Sequence, residues 1–419
     1  MKVSYLLGGI FLTDQKSYFY GVVPINYSLT DETMKDILNT FSLPKFPEKE
    51  HVFNLQAQSK GDSIHLKVLL KDFSVHLTRQ QKQFIRLNLS NNSGDMQAVI
   101  WDNNGNVEKY KPLLEEHSLF NIEGFVHEFN QQKSITINTL SPLDEEIDPA
   151  QFLPATDELI EPLTIELFAY LNELDEPYRT IAFKTMEKFW EQFSISPAAK
   201  SFHHNYLGGL LKHTIGLMRI ARYILMSEED HYKAIMRLIL VVEKAYKQEL
   251  WEKLAANEPE KRLIWQETLD HLYGILNEMI AFKEDKPRLD IVMISILFHD
   301  LGKVLEYDYA GRSDAPYEFL FPTGEYDFSN RKQTGITFDE LGGMIGHIPY
   351  GFILFSKVIE QENIALSLQD IHNISHCILS HHGLPEWGSA VRKPLSIEAY
   401  IVHLVDYLDS RYENVHSEK

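Results

Sequence analysis

Apolar positions recur along this chain with two different periods, and the change falls near residue 142. From Asp62 to Leu140 apolar and polar residues alternate, the signature of half-buried strands. Five strands are expected, over Ile64–Leu70, Gln83–Leu89, Met96–Trp101, Ser118–Glu128 and Ser134–Leu140, separated by polar turn clusters at 90–95 and 102–106. Five short strands in so little chain suit a small Greek-key barrel of the OB type, an architecture that often binds single strands.

Beyond an acidic, proline-bearing linker at 142–156 the apolar spacing becomes three to four, as helices require. Helices are expected over Asp157–Leu174, Pro177–Phe193, Gly208–Met226, Leu289–Leu301, Phe338–Glu360, Leu368–Leu379 and Ser396–Tyr412. Two more, rich in Glu, Lys and Arg, fill an insertion at about 227–287, over Tyr232–Ala256 and Lys261–Phe282. Ahead of the barrel, residues 1–55 read as a small α/β unit. It has short strands at Tyr5–Leu12 and Ser17–Val23, and a helix over Asp31–Leu43 capped by Asp31. The apolar N-terminal run is read as a strand and not as a leader, because it has one Lys and lacks a small-residue cleavage site. The fold class is therefore multidomain α+β: an N-terminal unit, a barrel at 60–141, and an all-α region at 157–419.

The 419 residues carry 60 acidic and 40 basic side chains, a net charge of −20, which argues against coating duplex DNA through the overall field. The charge is uneven. Residues 60–141 hold nine basic and nine acidic groups, so the barrel is neutral and most of the acidity lies in the helical part. A single cysteine, Cys377, excludes an intrachain disulfide and a Cys-rich zinc site and fits the reducing cytosol. No run of 18 apolar residues suggests a membrane span. In the barrel, Phe73, Arg79, Lys82, Phe84, Arg86 and Trp101 are the aromatic and cationic residues suited to a single strand, although alternating aromatics also fill barrel cores.

Histidine is concentrated in the helical half, in short distinctive contexts: His203-His204 with His213, His299-Asp300, Gly346-His347, His381-His382-Gly383, and His403 with Asp406. Residues 291–298 are apolar on all sides, so their helix is buried and ends in an adjacent imidazole and carboxylate. Burying such a pair is costly, and a metal cation relieves that cost. Ligands of nitrogen and oxygen without thiolate favour Mn, Fe, Co, Mg or a catalytic Zn. Two such ions lower the pKa of a shared water and clamp the oxygens of a phosphoryl displacement, which points to phosphoester hydrolysis. No Gly-x-Ser-x-Gly, Walker A or His-Glu-x-x-His motif competes. His372 and His376 fit ordinary helix positions, and His403 is ambiguous.

The order His213, His299-Asp300, His347, His381-His382, Asp406 resembles the HD-domain metal phosphohydrolases. Three stretches are similar to the YhaM-type 3'-to-5' exoribonucleases, which join an OB-fold to an HD domain. They are His203-His204-x-Tyr206-x-Gly208-Gly209-Leu210-Leu211-x-His213-Thr214, His299-Asp300-Leu301-Gly302-Lys303-Val304-x-Glu306, and Ser380-His381-His382-Gly383-x-x-Glu386-x-Gly388-Ser389. Glu398-Ala399 and Asp406-x-x-Asp409 complete the set. The resemblance spans about 60–226 and 288–412. It implies one metal held by His213, His299, Asp300 and Asp406, and a second held by Asp300, His347 and His381 with His382 close by. It also implies that Lys303 and His204 face the scissile phosphate. The expected cofactors are two divalent ions, manganese first, with Co, Fe, Mg or Zn as alternatives. The expected substrate is single-stranded RNA trimmed from its 3' end, with some single-stranded DNA. The insertion helices suit either a homo-oligomer interface or, as amphipathic helices more often do, packing on their own domain.

Two features depart from the family pattern, the 1–55 unit and the 227–287 insertion. A third difference is the stretch 307–337, where Tyr307, Tyr309, Tyr317, Phe319, Phe321, Tyr326 and Phe328 suit either a stacking platform or a loop packed on its own aromatics. Two other functions remain open at this level. One is an HD phosphohydrolase acting on a free or cyclic nucleotide. The other is a nucleic-acid-binding protein with a vestigial HD site.

Overall fold

The computed structural model describes residues 10–11, 16–46, 53–92, 94–129, 132–143, 149–200, 204–227, 230–255, 266–325, 335–385 and 391–412. The expected features at 5–9, the linker residues 144–148, His203, the start of the second insertion helix, Tyr326, Phe328, Glu386, Gly388 and Ser389 lie outside them.

The alternating segment closes into a five-stranded barrel of strands β1 (Ser63–Leu77), β2 (Gln83–Asn91), β3 (Gly94–Trp101), β4 (Leu119–Phe129) and β5 (Gln132–Pro142). Their order around the barrel is β1-β2-β3-β5-β4, with β4 pairing back onto β1. Only β3 and β5 run parallel, through Ala98↔Ile135 and Val99↔Thr136. This closed five-stranded arrangement is OB-like. The period of two holds in detail. Ile85, Leu87 and Leu89 of β2 are buried in the barrel core, while Phe84, Arg86 and Asn88 point outward.

A helix follows β3 over Asn106–Glu116, beginning at the end of the expected 102–106 turn, in a span to which the sequence pattern assigns no element. Val107, Tyr110 and Leu114 recur at helical spacing and enter the barrel core. The polar cluster before them starts that helix, with Asp102 Oδ1 accepting from the backbone of Val107 at 3.2 Å.

Among its described residues, the N-terminal segment does not build a core of its own. Tyr18, Phe19, Val23, Leu29, Ile37 and Phe41 share one apolar core with the helical half. Phe41 stacks on Phe168 with centroids 4.0 Å apart, and the Trp190 indole donates to the Ser42 carbonyl at 2.8 Å. Its helix runs Asp31–Thr40, with Thr30 and not Asp31 as the cap: the Thr30 hydroxyl accepts from the Thr33 amide at 3.1 Å. Asp31 and Glu32 occupy the first turn, where the helix dipole favours acids.

The helices that position the site are α1 (Gly209–Leu225), α2 (Gln266–Met279), α3 (Leu289–His299), α4 (His347–Gln361), α5 (Leu368–Ser380) and α6 (Ile397–Tyr412). Central among them, α3 is buried on every side from Ile291 to His299 and packs against α1, α4, α5 and α6.

The single long helix expected over 338–360 is broken. Thr337–Phe338 pairs instead with Tyr307–Asp308, a short helical turn spans Gly342–Ile345, and α4 starts afresh at His347. Gly346 makes the break with φ 82°, which favours glycine. The new start packs tightly on the residue after Leu301: a side chain at Gly302 would strike the His347 carbonyl.

Tyr307 and Tyr309 join Leu69 of β1 with Phe152, Leu153, Leu207 and Ile336 in a small apolar cluster that seats the barrel on the helical half. The Ser90 hydroxyl, on β2, donates to the Phe152 carbonyl at 3.0 Å. The described aromatics of 307–325 are therefore mostly packing residues. Tyr317 is buried, Phe319 meets Phe189 edge-on, and Phe321 alone among them is exposed.

Candidate metal centre

Four imidazoles of the site are brought in by four different elements, and a fifth, His382, follows one of them. His213 lies on α1, His299 ends α3, His347 starts α4, and His381 caps α5, followed by His382. Asp406 and Asp409 come from α6. Asp300, directly after α3, is their common neighbour. Its Oδ2 lies 3.4 Å from Nε2 of His213 and 3.3 Å from Nε2 of His299. Its Oδ1 lies 3.5 Å from Nε2 of His347 and 3.9 Å from Nε2 of His381. One carboxylate thus faces two separate pairs of ring nitrogens. Oδ1 of Asp406 is 3.3 Å from Nε2 of His213, and the His382 ring centre is 4.4 Å from that of His381 and 5.3 Å from that of His347.

The four rings share one orientation rule. In each, Nδ1 is bonded outward: His213 to Asp409 at 2.7 Å, His299 to the Ile296 carbonyl at 2.6 Å, His347 to Glu306 at 2.8 Å, and His381 to the Ile378 carbonyl at 2.8 Å. Every Nε2 is thereby turned inward, as when outer hydrogen bonds orient metal-binding imidazoles.

Nε2 of His299, His347 and His381 and Oδ1 of Asp300 are buried with no hydrogen-bond partner among the described residues. Four converging orphaned atoms are a large cost for an interior without an ion. Nitrogen and oxygen ligands about 2.0–2.2 Å from a shared ion lie about 3–3.5 Å apart, close to the observed spacings. The residues fit divalent metal.

The electrostatics divide along the same line. Burial works against a charge on His213, but bonds to Asp300, Asp406 and Asp409 outweigh it and hold its pKa well above the ordinary imidazole value. Burial would raise Asp300, yet the charges of His299 and Lys303 and the bond from His213 hold it well below the usual carboxylate range. Asp406 is likewise held low against burial, chiefly by His213. On the other side, burial and the neighbouring His382 and His299 push His381 well down, and burial with His347 lowers His382 to about 4. Asp300 and Asp406 are thus held as carboxylates on one side, and His381 and His382 as neutral imidazoles on the other.

Lys303 and His204, expected to face a phosphate, are both engaged by protein groups in this structure. The Lys303 ammonium donates to the Ala198 carbonyl at 2.6 Å and to Asp300. His204 is buried, with Nε2 3.2 Å from Asp409 and Nδ1 3.0 Å from the Tyr206 hydroxyl. The outer bracing residues Glu306, Asp409 and Tyr18, whose hydroxyl donates to Asp409, have no role that the sequence pattern assigns. Glu306 and Asp409 do stand three residues after Lys303 and Asp406, one helical turn away, and that spacing is a usable signal. Nothing local in the sequence points from Tyr18 to Asp409.

At the barrel, Trp101 is 40% exposed and pairs across strands with Phe84, their rings 5.2 Å apart, and Phe84 in turn stacks on His76. Arg79 and Lys82, in the β1–β2 turn, line a cleft of about 370 Å³ together with Trp101 and Asn103. Arg86 lies exposed one outward position beyond Phe84. Phe73 is half-buried against the barrel core.

Among the described residues no helix is long and apolar enough to cross a membrane.

The HD domain family matches residues 268–411. That span holds His299, Asp300, His347, His381, His382 and Asp406, whereas His213 precedes it and reaches the centre on α1. Over 354 residues the chain is 22% identical to the 3'-5' exoribonuclease YhaM of Bacillus pumilus, covering 84% of this chain and 86% of that protein. With the protein of the same name from Bacillus subtilis it is 23% identical over 359 residues, with the same coverage. Among solved structures, the second OB-fold domain of replication protein A from Methanococcus maripaludis covers 23% of this chain at 8% identity and a TM-score of 0.17, so the barrel's assignment stands on its strand order. With an HD domain, an OB-like barrel and a likeness over 84% of its length to proteins named 3'-5' exoribonuclease YhaM, the chain is a metal-dependent HD hydrolase similar to the YhaM-type proteins.

Proposed function

We propose that this protein is a divalent-metal-dependent phosphodiesterase that removes nucleotides from the 3' end of single-stranded RNA, with single-stranded DNA as a secondary substrate. The observation that carries the reading is Asp300, whose two oxygens face two separate pairs of imidazole nitrogens. His213, His299, Asp300 and Asp406 would hold one ion, and Asp300, His347, His381 and His382 the other. Two such ions supply an activated water and charge stabilisation for phosphoryl transfer. Manganese is the first metal to test. Lys303 keeps Asp300 ionised and aimed, while His204 keeps Asp409 against His213.

The 60–141 barrel would hold the strand, with Trp101 and Phe84 stacking bases and Arg79, Lys82 and Arg86 meeting phosphates. Residues 157–419 would carry the hydrolysis. The relatives' names and the exposed aromatic row of the barrel favour RNA over free nucleotides. A cytosolic setting fits a lone buried thiol.

The test uses EDTA-stripped protein with 3'- and 5'-labelled single-stranded RNA, with and without Mn²⁺, beside a panel of nucleotides. Stepwise shortening from the 3' end, lost in Asp300→Ala, is expected. Hydrolysis of a nucleotide with the RNA left intact would overturn the reading, as would RNA binding with no turnover under any divalent metal.

A further inference from the structure

A second pair of histidines lies behind the metal centre and reaches it from the insertion. His271, half-buried on α2, has its Nε2 3.0 Å from Nε2 of His403 on α6. The other nitrogen of His403, Nδ1, is 2.7 Å from the backbone carbonyl of His381. A carbonyl only accepts, so Nδ1 of His403 carries the hydrogen, its Nε2 is the acceptor in the neutral ring, and Nε2–H of His271 must donate. The three residues form a directed chain, His271 to His403 to His381.

The His403 ring also occupies the space beside Gly383, at φ 77°, where a side chain would collide with it. The turn carrying His381 and His382 is therefore moulded on His403. Two further contacts hold α2 on α6: the His271 ring lies 4.6 Å from that of Tyr407, and the Tyr400 hydroxyl donates to Glu278 at 2.6 Å.

We propose that His271, within the insertion, is a positioning residue for the His381–His382 side of the metal centre, acting through His403. This rests on the reading of His381 as a metal ligand. The role is one of aim: the chain sets the His381 backbone, and with it the direction of Nε2 towards Asp300.

The test is calorimetric titration of Mn²⁺ into the EDTA-stripped full chain, with the metal-free melting temperature of each variant recorded beside it. His271→Gln, which keeps a donor, should bind like the wild type. His271→Leu, which keeps bulk but donates nothing, should bind one of the two ions about 10-fold more weakly, the low end of what outer partners of metal ligands cost. His403→Leu should lose at least as much, and His381→Ala should lose that ion. If His403→Leu does not fold, the two His271 variants decide the matter. Equal weakening in His271→Gln and His271→Leu would reduce His271 to packing and overturn the proposal. Wild-type affinity in His271→Leu, with one ion lost in His381→Ala, would overturn it while leaving the metal reading intact. Full stoichiometry in His381→Ala would overturn both.

Discussion

Nδ1 of His213 meets Oδ2 of Asp409 at 2.7 Å, on the ring edge opposite the one that faces Asp300 and Asp406. Asp409 is itself gripped: Oδ2 also takes His204 and Oδ1 takes the Tyr18 hydroxyl. A residue from the N-terminal segment thus helps aim the His213 ring on α1. Asp409→Asn retains the volume but gives up the charge and one acceptor oxygen. It should weaken binding of one Mn²⁺ by about 10- to 100-fold and lower stability by about 1–3 kcal/mol through the buried partner left unsatisfied. Calorimetric metal titration and urea unfolding measure the two effects separately. Unchanged metal affinity would remove Asp409 from the orienting layer.

Asp300 and His347 should separate by metal count. His347 faces only Oδ1 of Asp300, and its outer nitrogen is held by Glu306. His347→Ala should therefore leave one ion of two bound, whereas Asp300→Ala, which removes the group common to both nitrogen pairs, should leave none bound tightly. Elemental analysis of gel-filtered, Mn²⁺-loaded protein gives both numbers. Loss of both ions in His347→Ala would mean that the two halves do not load independently.

The barrel and the clustered histidines and aspartates are legible in sequence because each depends on local regularity. Strand periodicity predicts which side of β2 is buried, and a buried helix ending in His299-Asp300 announces a charge problem in its interior. What escapes depends on contacts far apart in the chain or on a competing local pattern. The helix at Asn106–Glu116 is hidden behind a turn cluster that proves to be its own start. The run 338–360 keeps helical spacing through Gly346, so the break that frees His347 to begin α4 leaves no mark in the period. The pairing of Tyr18 with Asp409 spans almost the entire chain, and no spacing rule reaches that far.

Asp339 gives a pH prediction away from the metal ligands. Burial would raise its pKa, but the Gly342 amide, the Tyr317 hydroxyl and Arg312 bond to it and hold it below the usual value. A carboxylate with a depressed folded pKa stabilises the protein above its unfolded pKa of about 3.9 and loses that contribution as pH falls through the folded value. The melting temperature of the wild type should exceed that of Asp339→Asn at pH 6, and the gap should narrow towards pH 3.5. A gap that is constant over this range would show that the charge of Asp339 contributes nothing.

The β1–β2 turn with its cleft lies at the far end of β1 from Leu69, which seats the barrel on the helical half. Leu77 lies eight residue steps along β1 from Leu69, about 26 Å at 3.2–3.4 Å per residue. A strand long enough to reach from metal centre to cleft should feel the cleft, and a dinucleotide should not. Trp101→Ala should weaken binding of a long single-stranded RNA by about 1–3 kcal/mol, the value of one stacked base, and leave dinucleotide hydrolysis unchanged. Replacing Arg79 and Lys82 together with Gln should flatten the salt dependence of long-RNA binding, by a slope of about 0.7 for each phosphate of a single strand that is no longer neutralised. Fluorescence anisotropy on RNAs of graded length, at several salt concentrations, reads both effects beside a dinucleotide turnover assay. Equal losses on long and short substrates would place Trp101 outside the strand's path and assign the binding to the helical half alone.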